Sequence, residues 1–159
     1  MNKGSEDYRK NILHPLKFKL GMLTRLPSVV FWGVRIKSLS ESGCEVTIPF
    51  SWRTQNPFQS IYFAAMAGAA ELSTGALCQM QLAGRSPHSM LVVDFKMEYY
   101  KKANTMITFT CEQGLALAQI LDNFTSSGDS ATLNMESTGK NESGVIVARA
   151  YITWSFKRK

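Results

Sequence analysis

One stretch, residues 60–83, constrains the fold of this chain more than any other part of the sequence. It is rich in alanine and glycine, is otherwise apolar for most of its length, and contains a single charged residue, Glu71. A helix of about 24 residues would be about 36 Å long, enough to cross a whole domain. Because such a helix needs cover on most of its surface, we predict a long central helix surrounded by the rest of the chain.

Strand patterns dominate the remaining sequence. Alternating apolar and polar residues, or runs of β-branched ones, predict strands at 31–39, 44–50, 89–100, 105–111, 131–138 and 145–156. A short helix is predicted at 115–124. Because the strands do not alternate with helices, the pattern favours the α+β class with an antiparallel sheet over a doubly wound fold. A strongly curved sheet wrapped around the central helix would bury that helix well.

The N-terminal segment carries the net charge of the chain. The sequence has 18 basic and 12 acidic residues, a formal charge of +6, and residues 1–40 already account for that excess. Residues 8–26 show helical periodicity, with a stripe of leucines that recur at the spacing of one helix face: Leu13, Leu16, Leu20 and Leu23. We therefore predict a basic N-terminal helical extension over residues 1–27 and a single domain over residues 28–159.

The leucine stripe is expected to pack on its own domain. The basic helix that carries it has three further interpretations, which are packing across a dimer edge, attraction of an anionic substrate, and peripheral contact with anionic lipid. Nucleic acid is not an expected partner, because the basic stretch lacks regularly interleaved aromatic residues and the rest of the chain is neutral.

Composition excludes several other classes of protein. No apolar run is long enough to cross a bilayer, and the first ten residues contain no hydrophobic segment of the secretory type. The three cysteines, Cys44, Cys78 and Cys111, lack the spacing of a zinc site, and a reducing cytoplasm is the expected compartment. Since the chain has only two histidines, a multi-histidine metal site is not expected.

Glu71 has a structural and a functional interpretation. Helical spacing places it on a face of small side chains: Ala64, Ala67, Gly68, Thr74, Gly75 and Cys78. In the structural interpretation, these residues let the sheet pack closely, and Glu71 faces solvent or a neutralising partner. In the functional one, they line a narrow channel in which desolvation raises the pKa of the carboxylate and makes it a competent general base. Gly68 and Gly75 indicate that another group, either the sheet or a ligand, approaches this helix closely.

The sequence resembles the core motif of hotdog-fold thioesterases over residues 56–75, Asn-Pro-Phe-Gln-Ser-Ile-Tyr-Phe-Ala-Ala-Met-Ala-Gly-Ala-Ala-Glu-Leu-Ser-Thr-Gly. That motif has a loop Asn, a helix start that is often His-Gly-Gly, and an acidic residue partway along the helix. Residues 99–103 are similar to a strand ending of the same family. The resemblance is greatest to an uncharacterised thioesterase-like hotdog group with an N-terminal helix. It implies the hotdog fold, a curved antiparallel sheet around one long helix.

The resemblance also implies hydrolysis of an acyl-CoA or acyl-carrier thioester, with coenzyme A present only as part of the substrate and with no metal or other cofactor. Glu71 matches the acidic position and is implied to be the general base or nucleophile. Asn56 matches the loop Asn that orients water or substrate. Tyr62 stands where the family has His and could donate a hydrogen bond, or else only pack. We expect a homodimer or a dimer of dimers, with Glu71 of one chain facing the Asn56 loop of the other.

Further residues are candidates for substrate binding: Gln59, Ser60, Phe63, Ala64, Gly68, Arg53, Lys101 and Lys102. Gln59 and Ser60 are otherwise expected to begin and cap the central helix. The basic residues would pair with coenzyme A phosphates or stay solvated. Backbone N–H groups of residues 62–65 could polarise a thioester carbonyl, because the first turn of a helix leaves its donors unpaired.

Two other functions remain open. The His-Gly-Gly of the family is absent here, and Val92 stands where some relatives have Ser or Thr. The chain could therefore bind acyl thioesters or fatty acids without hydrolysing them. A dehydratase would need a His paired with an acid, and His14 and His88 are poorly placed for that.

Overall fold

The computed structural model describes residues 1–159. Five helices and six strands follow one another in the chain: α1 (Lys3–Leu13), α2 (Pro15–Arg25), α3 (Pro27–Phe31), β1 (Arg35–Leu39), β2 (Cys44–Ile48), α4 (Phe63–Leu82), β3 (His88–Tyr99), β4 (Ile107–Cys111), α5 (Gly114–Asp122), β5 (Ser130–Asn141) and β6 (Ile146–Arg158). None of the helices combines the length and the apolar character that crossing a membrane requires.

The six strands form one antiparallel sheet in the order β1-β2-β4-β5-β6-β3. The sheet curves around α4, which packs against β2, β4, β5 and β6. Side chains alternate between the two faces of β6, so that Ala148, Ala150, Ile152, Trp154 and Phe156 all point into the core. The predicted α+β architecture with a long central helix is thereby confirmed.

The structure breaks the predicted N-terminal helix in two. α1 begins earlier than expected, at Lys3, with the Asn2 side chain accepting a hydrogen bond from the Ser5 N–H (2.9 Å). The break lies at His14, whose backbone is extended and whose Nδ1 caps α2. Pro15 occupies the first position of α2, where its missing N–H costs no helical hydrogen bond.

The expected strand over residues 31–39 is shorter in the structure. Pro27 starts the short helix α3, which extends to Phe31, and β1 begins only at Arg35. Gly33 connects the two elements with a φ of 71°, a conformation that glycine adopts without steric strain. The first part of the predicted strand is therefore a helix and a turn.

The expectation that the leucine stripe packs on its own domain is wrong for α2. Leu16, Leu20 and Leu23 are 61%, 58% and 48% exposed. Phe18 is the only buried residue of this helix, with Met22 partly buried on the core. Because the helix is interrupted at His14, the face set by Leu13 in α1 does not continue into α2, and the opposite side of α2 turns inward.

Candidate active site

Glu71 lies at the middle of α4, on the wall of a cavity of about 570 Å³. We call this space the Glu71 cavity. Helices α1 and α2 form one side and α4 the other, and the side chains that enclose it include Tyr8, Phe18, Met22, Leu72, Gln79 and Trp154. Half of the 16 residues that line the cavity are hydrophobic, and the others include polar and basic ones: Asn11, Lys17, Thr24 and Arg25.

The Glu71 carboxylate forms no ion pair with any basic group of the chain. The side chain is half-buried, and this burial raises the pKa of Glu71 above the ordinary value for glutamate, because desolvation disfavours the charged form. An acid that is desolvated, unpaired and adjacent to a cavity has the properties expected of a reactive group.

Trp154 and Thr74 fix the wall of the cavity next to Glu71. The Trp154 indole Nε1 donates to the Thr74 hydroxyl at 2.9 Å, and that hydroxyl donates to the Glu71 carbonyl oxygen at 2.9 Å. Gly75 makes this arrangement possible, since a Cβ there would lie 3.1 Å from Glu71 Oε1 and 3.3 Å from the Trp154 ring. The close approach that Gly75 indicated is therefore made by the carboxylate and an indole.

A second hollow, of about 320 Å³, also borders Glu71. It is bounded by α3, α4 and the outer edge strand β3, and Ala67, Gly68 and Phe95 line it. A Cβ at Gly68 would lie 2.9 Å from the Trp32 ring, so in this chain the small residue makes room for Trp32. The prediction that Gly68 contacts substrate stays a prediction.

Asn56 organises the loop that precedes α4. Its Oδ1 accepts hydrogen bonds from the Phe58 N–H (3.0 Å), the Ser60 N–H (3.2 Å) and the Ser60 hydroxyl (3.2 Å). Ser60 therefore does not cap α4, and the expectation that Gln59 and Ser60 begin and cap the helix is wrong. Gln59 is exposed at the tip of the loop with a φ of 56°.

The structure does not bring Glu71 and Asn56 together within one chain. α4 begins at Phe63, and Glu71 lies about 12 Å further along the helix axis at 1.5 Å per residue, while the Asn56 loop lies before the helix start.

Exposed aromatic side chains surround the N-terminus of α4. Tyr62 is the N-cap residue but its side chain caps no N–H group, and its ring packs edge-on to Phe63 with centroids 4.8 Å apart. Tyr99 packs against Phe63 and donates its hydroxyl to the Phe63 carbonyl at 3.2 Å. The N–H groups of Phe63 and Ala64 lie in the first turn, where the helix provides no acceptor.

The basic candidates lie near this end of α4. Lys101 and Lys102 are exposed and belong to a segment that the Ile61 N–H ties to the helix start by donating to the Ala103 carbonyl at 2.7 Å. Arg53 is exposed on the loop between β2 and α4. None of the three forms an ion pair within the chain.

Neither histidine lies with Glu71. His14 accepts a hydrogen bond from the Lys17 N–H at 3.4 Å, and His88 stacks on Phe124 with ring centroids 5.9 Å apart. The chain also contains no cluster of His, Cys, Asp and Glu side chains that could hold a metal ion.

Sequence reasoning missed the residues that enclose the Glu71 cavity. Tyr8, Phe18 and Met22 belong to the segment that was predicted as an extension, and Trp154 belongs to the last strand. For Trp154 a signal was available, since it continues the alternation of inward side chains along residues 148–156. For Tyr8, Phe18 and Met22 the sequence offered no signal, because nothing in its pattern indicates that α1 and α2 cover α4.

Comparisons with known proteins agree with this architecture. The model of the DUF4442 family, described as a domain of unknown function, matches residues 16–156. No curated protein sequence matches the chain.

Three solved structures illustrate the likeness. A protein of unknown function from Chlorobaculum tepidum is 18% identical with a TM-score of 0.76, covering 93% of this chain and 99% of that one. A protein of unknown function from Pseudomonas aeruginosa, named as a probable thioesterase, is 18% identical with a TM-score of 0.75 over 94% and 99% of the two chains. A thioesterase from Haemophilus influenzae is 16% identical with a TM-score of 0.64 over 87% and 88%. At these identities the likeness establishes the fold, and it confirms the predicted hotdog fold.

Proposed function

Because this chain belongs to the DUF4442 family and has the hotdog fold, we propose that it is a thioesterase that hydrolyses acyl-CoA or acyl-carrier thioesters. The observation that carries the proposal is Glu71, a half-buried carboxylate without an ionic partner on the wall of a cavity. Several structural neighbours are named as thioesterases, and these names support thioester hydrolysis as the reaction class.

Glu71 acts as a general base or as a nucleophile. As a base it takes a proton from water while the water oxygen attacks the thioester carbonyl; the C–S bond then breaks, and the thiolate leaves and is protonated. As a nucleophile its carboxylate attacks the thioester carbonyl, the C–S bond breaks, and the thiolate leaves and is protonated, which produces a mixed anhydride. Water then hydrolyses the anhydride to the acid and the regenerated Glu71 carboxylate. Burial strengthens either role, since a carboxylate with a raised pKa is a stronger base than an exposed one.

A homodimer completes this site in the proposal. Glu71 and Asn56 are apart within one chain, so the Asn56 loop of a second chain would face Glu71. The edge strand β3 supports pairing, because it bonds only to β6 and exposes Leu91, Val93 and Phe95. Dimer or dimer of dimers would be distinguished by sedimentation equilibrium.

The start of α4 supplies the groups that hold the substrate. The N–H groups of Phe63 and Ala64 polarise the thioester carbonyl, and the Tyr62 hydroxyl donates a further hydrogen bond. Gln59 and Ser60 contact the pantetheine, while the exposed cations pair with the coenzyme A phosphates: Arg53, Lys101 and Lys102. The three cysteines are buried and free, which supports a reducing compartment such as the cytoplasm.

A thiol-release assay over short-chain, long-chain and aromatic acyl-CoA substrates tests the proposal. Glu71→Gln keeps the shape of the side chain but removes the base, so kcat/KM should fall by about 10²–10⁴-fold. Glu142→Gln is the matched control, because Glu142 is exposed on the turn between β5 and β6. Turnover that survives Glu71→Gln would remove Glu71 from the mechanism.

The alternative function is binding without hydrolysis. It rests on the replacement of His-Gly-Gly by Tyr62, Phe63 and Ala64 and on Val92 in place of Ser or Thr. Acyl-CoA would then raise the melting temperature of the wild-type protein while no thiol is released. A thermal shift measured in parallel with the thiol assay separates the two functions.

A further inference from the structure

Helix α2 presents an apolar face to solvent that the proposed chemistry does not use. Leu16, Leu20 and Leu23 lie at i, i+4 and i+7, so they form one strip along the helix, and each is roughly half-exposed or more. None of the three lines the Glu71 cavity. Exposed leucines that lie together in this way are typical of a surface that contacts another protein, a membrane or a ligand.

The charge around this strip is uniformly positive. Lys17 and Lys19 lie on either side of the strip, whereas Arg25 lies on the opposite side of the helix and lines the Glu71 cavity. α2 contains no acidic residue, and the sequence has no Asp or Glu between residues 8 and 40. None of these three cations forms an ion pair. An apolar strip flanked by unpaired cations complements a surface that is apolar inside and anionic outside.

We propose that α2 docks the protein on an anionic lipid bilayer, with Leu16, Leu20 and Leu23 inserted among the acyl chains. Lys17 and Lys19 would lie at the headgroups. A second copy of this chain fits the same face less well. A symmetric contact would bring Lys17 and Lys19 of both copies together, and like charges oppose such an interface.

Docking on this face would place the Glu71 cavity at the membrane surface. The residue that follows each of these leucines lines the cavity: Lys17, Gly21 and Thr24. These three residues form the face of α2 next to the leucine strip. An amphiphilic acyl thioester with a long chain could then pass from the lipid to the cavity without crossing water. This last step rests on the proposed thioesterase function, whereas docking itself does not.

Vesicle flotation of the full-length protein tests the docking. We expect binding to vesicles of phosphatidylcholine mixed with phosphatidylglycerol, little binding to phosphatidylcholine alone, and release by salt because screening weakens the attraction. The double variant Leu16→Gln/Leu20→Gln should lower the partition coefficient by at least about tenfold. Both positions are exposed and glutamine has a helix propensity close to that of leucine, so the fold should be preserved, which circular dichroism checks.

Matched control variants distinguish docking through α2 from non-specific adsorption of the protein to vesicles. Leu115 is 61% exposed on α5, the same fraction as Leu16, and Leu115→Gln should leave vesicle binding unchanged. Lys19→Gln should weaken binding to anionic vesicles by about fivefold, and Lys140→Gln, which removes an exposed cation from β5, should weaken it less.

Two results would overturn the proposal. One is equal vesicle binding by wild type and the double leucine variant. The other is a change of mass in sedimentation equilibrium for the double variant with no change in vesicle binding, which would assign the face to a second copy. Flotation needs no substrate, so it is independent of whether the chain hydrolyses thioesters.

Discussion

The first two helices have the same length, 11 residues each, but they are attached to the protein in different ways. α1 is held by the buried Ile12 side chain and by polar contacts: the buried Ser5 hydroxyl donates to the Met80 carbonyl at 2.8 Å, and Arg9 Nε donates to the Leu39 carbonyl at 2.7 Å. α2 buries only the aromatic ring of Phe18 and exposes all three of its leucines.

This difference shows that hydrophobic periodicity does not identify which helix is anchored. The leucine-rich helix is the loosely attached one, and the helix with Gly4 and Ser5 near its start is the firmly attached one. Close contact is possible at Gly4 because the facing residue is Gly84, whose backbone lies 2.6 Å from where a Cβ of Gly4 would be. α1 therefore anchors the segment, and α2 covers the Glu71 cavity.

The largest expected effect is that of Phe18→Ala. Truncating a buried Phe costs about 3 kcal/mol or more, and here the loss should fall on α2 because Phe18 is its only buried residue. Native-state hydrogen exchange should show faster exchange of α2 amides while α1 amides keep their protection. Equal loss of protection in both helices would contradict the difference between them.

Gly4→Ala should act on the other helix. The added methyl would meet the Gly84 backbone, and such overpacking costs about 2 kcal/mol. Urea unfolding measures the loss, and hydrogen exchange should now show the weakened protection in α1. A variant as stable as wild type would mean that α1 is not held by this backbone contact.

Glu71→Gln should stabilise the protein above the pH range in which Glu71 titrates. Burial raises the pKa of Glu71 in the folded protein, so folding takes up a proton between the unfolded and folded pKa values, and wild type loses stability as pH rises through that range. The amide variant has no such loss, and each pKa unit corresponds to about 1.4 kcal/mol.

Urea unfolding as a function of pH measures this gain, which should vanish well below the ordinary glutamate pKa. In the Phe18→Ala background the gain should shrink, because loosening α2 admits water to the cavity. A gain of equal size at all pH values would show that it has another cause.

The smallest expected effect is that of Gly21→Ala. Gly21 lies inside α2, and a Cβ there would have no neighbour within 4 Å. Alanine should therefore stabilise α2 by up to about 1 kcal/mol through helix propensity. Slower hydrogen exchange in α2, with exchange in α1 unchanged, would confirm that the low helix propensity of Gly21 contributes to the low stability of α2. Unchanged exchange in α2 would show that its low stability comes entirely from its sparse packing.

The architecture could be predicted because its signals are local. The apolar, small-residue run of α4 and the alternation along β6 are periodicities that one short window of sequence contains. The isolated acid in α4, Glu71, is equally visible in the sequence.

The cavity could not be predicted because its walls come from distant parts of the chain. Tyr8 and Phe18 precede Glu71 by more than 50 residues, and Trp154 follows it by more than 80. Because of the break at His14, the face of α2 that packs inward is opposite to the one expected. Gly4 and Ser5 are not apolar residues, so the hydrophobic pattern gives no sign that they attach α1 to the domain. Contacts of this kind depend on the tertiary arrangement rather than on sequence spacing.

The central claim is that Glu71 is a desolvated acid without a partner, and its titration tests that claim most directly. In protein labelled at the glutamate carboxyl carbons, carbon NMR should show one resonance that Glu71→Gln removes. Its pKa should lie above the ordinary value for glutamate. A pKa for Glu71 at or below that ordinary value would contradict the account, because the carboxylate would then be either fully hydrated or paired.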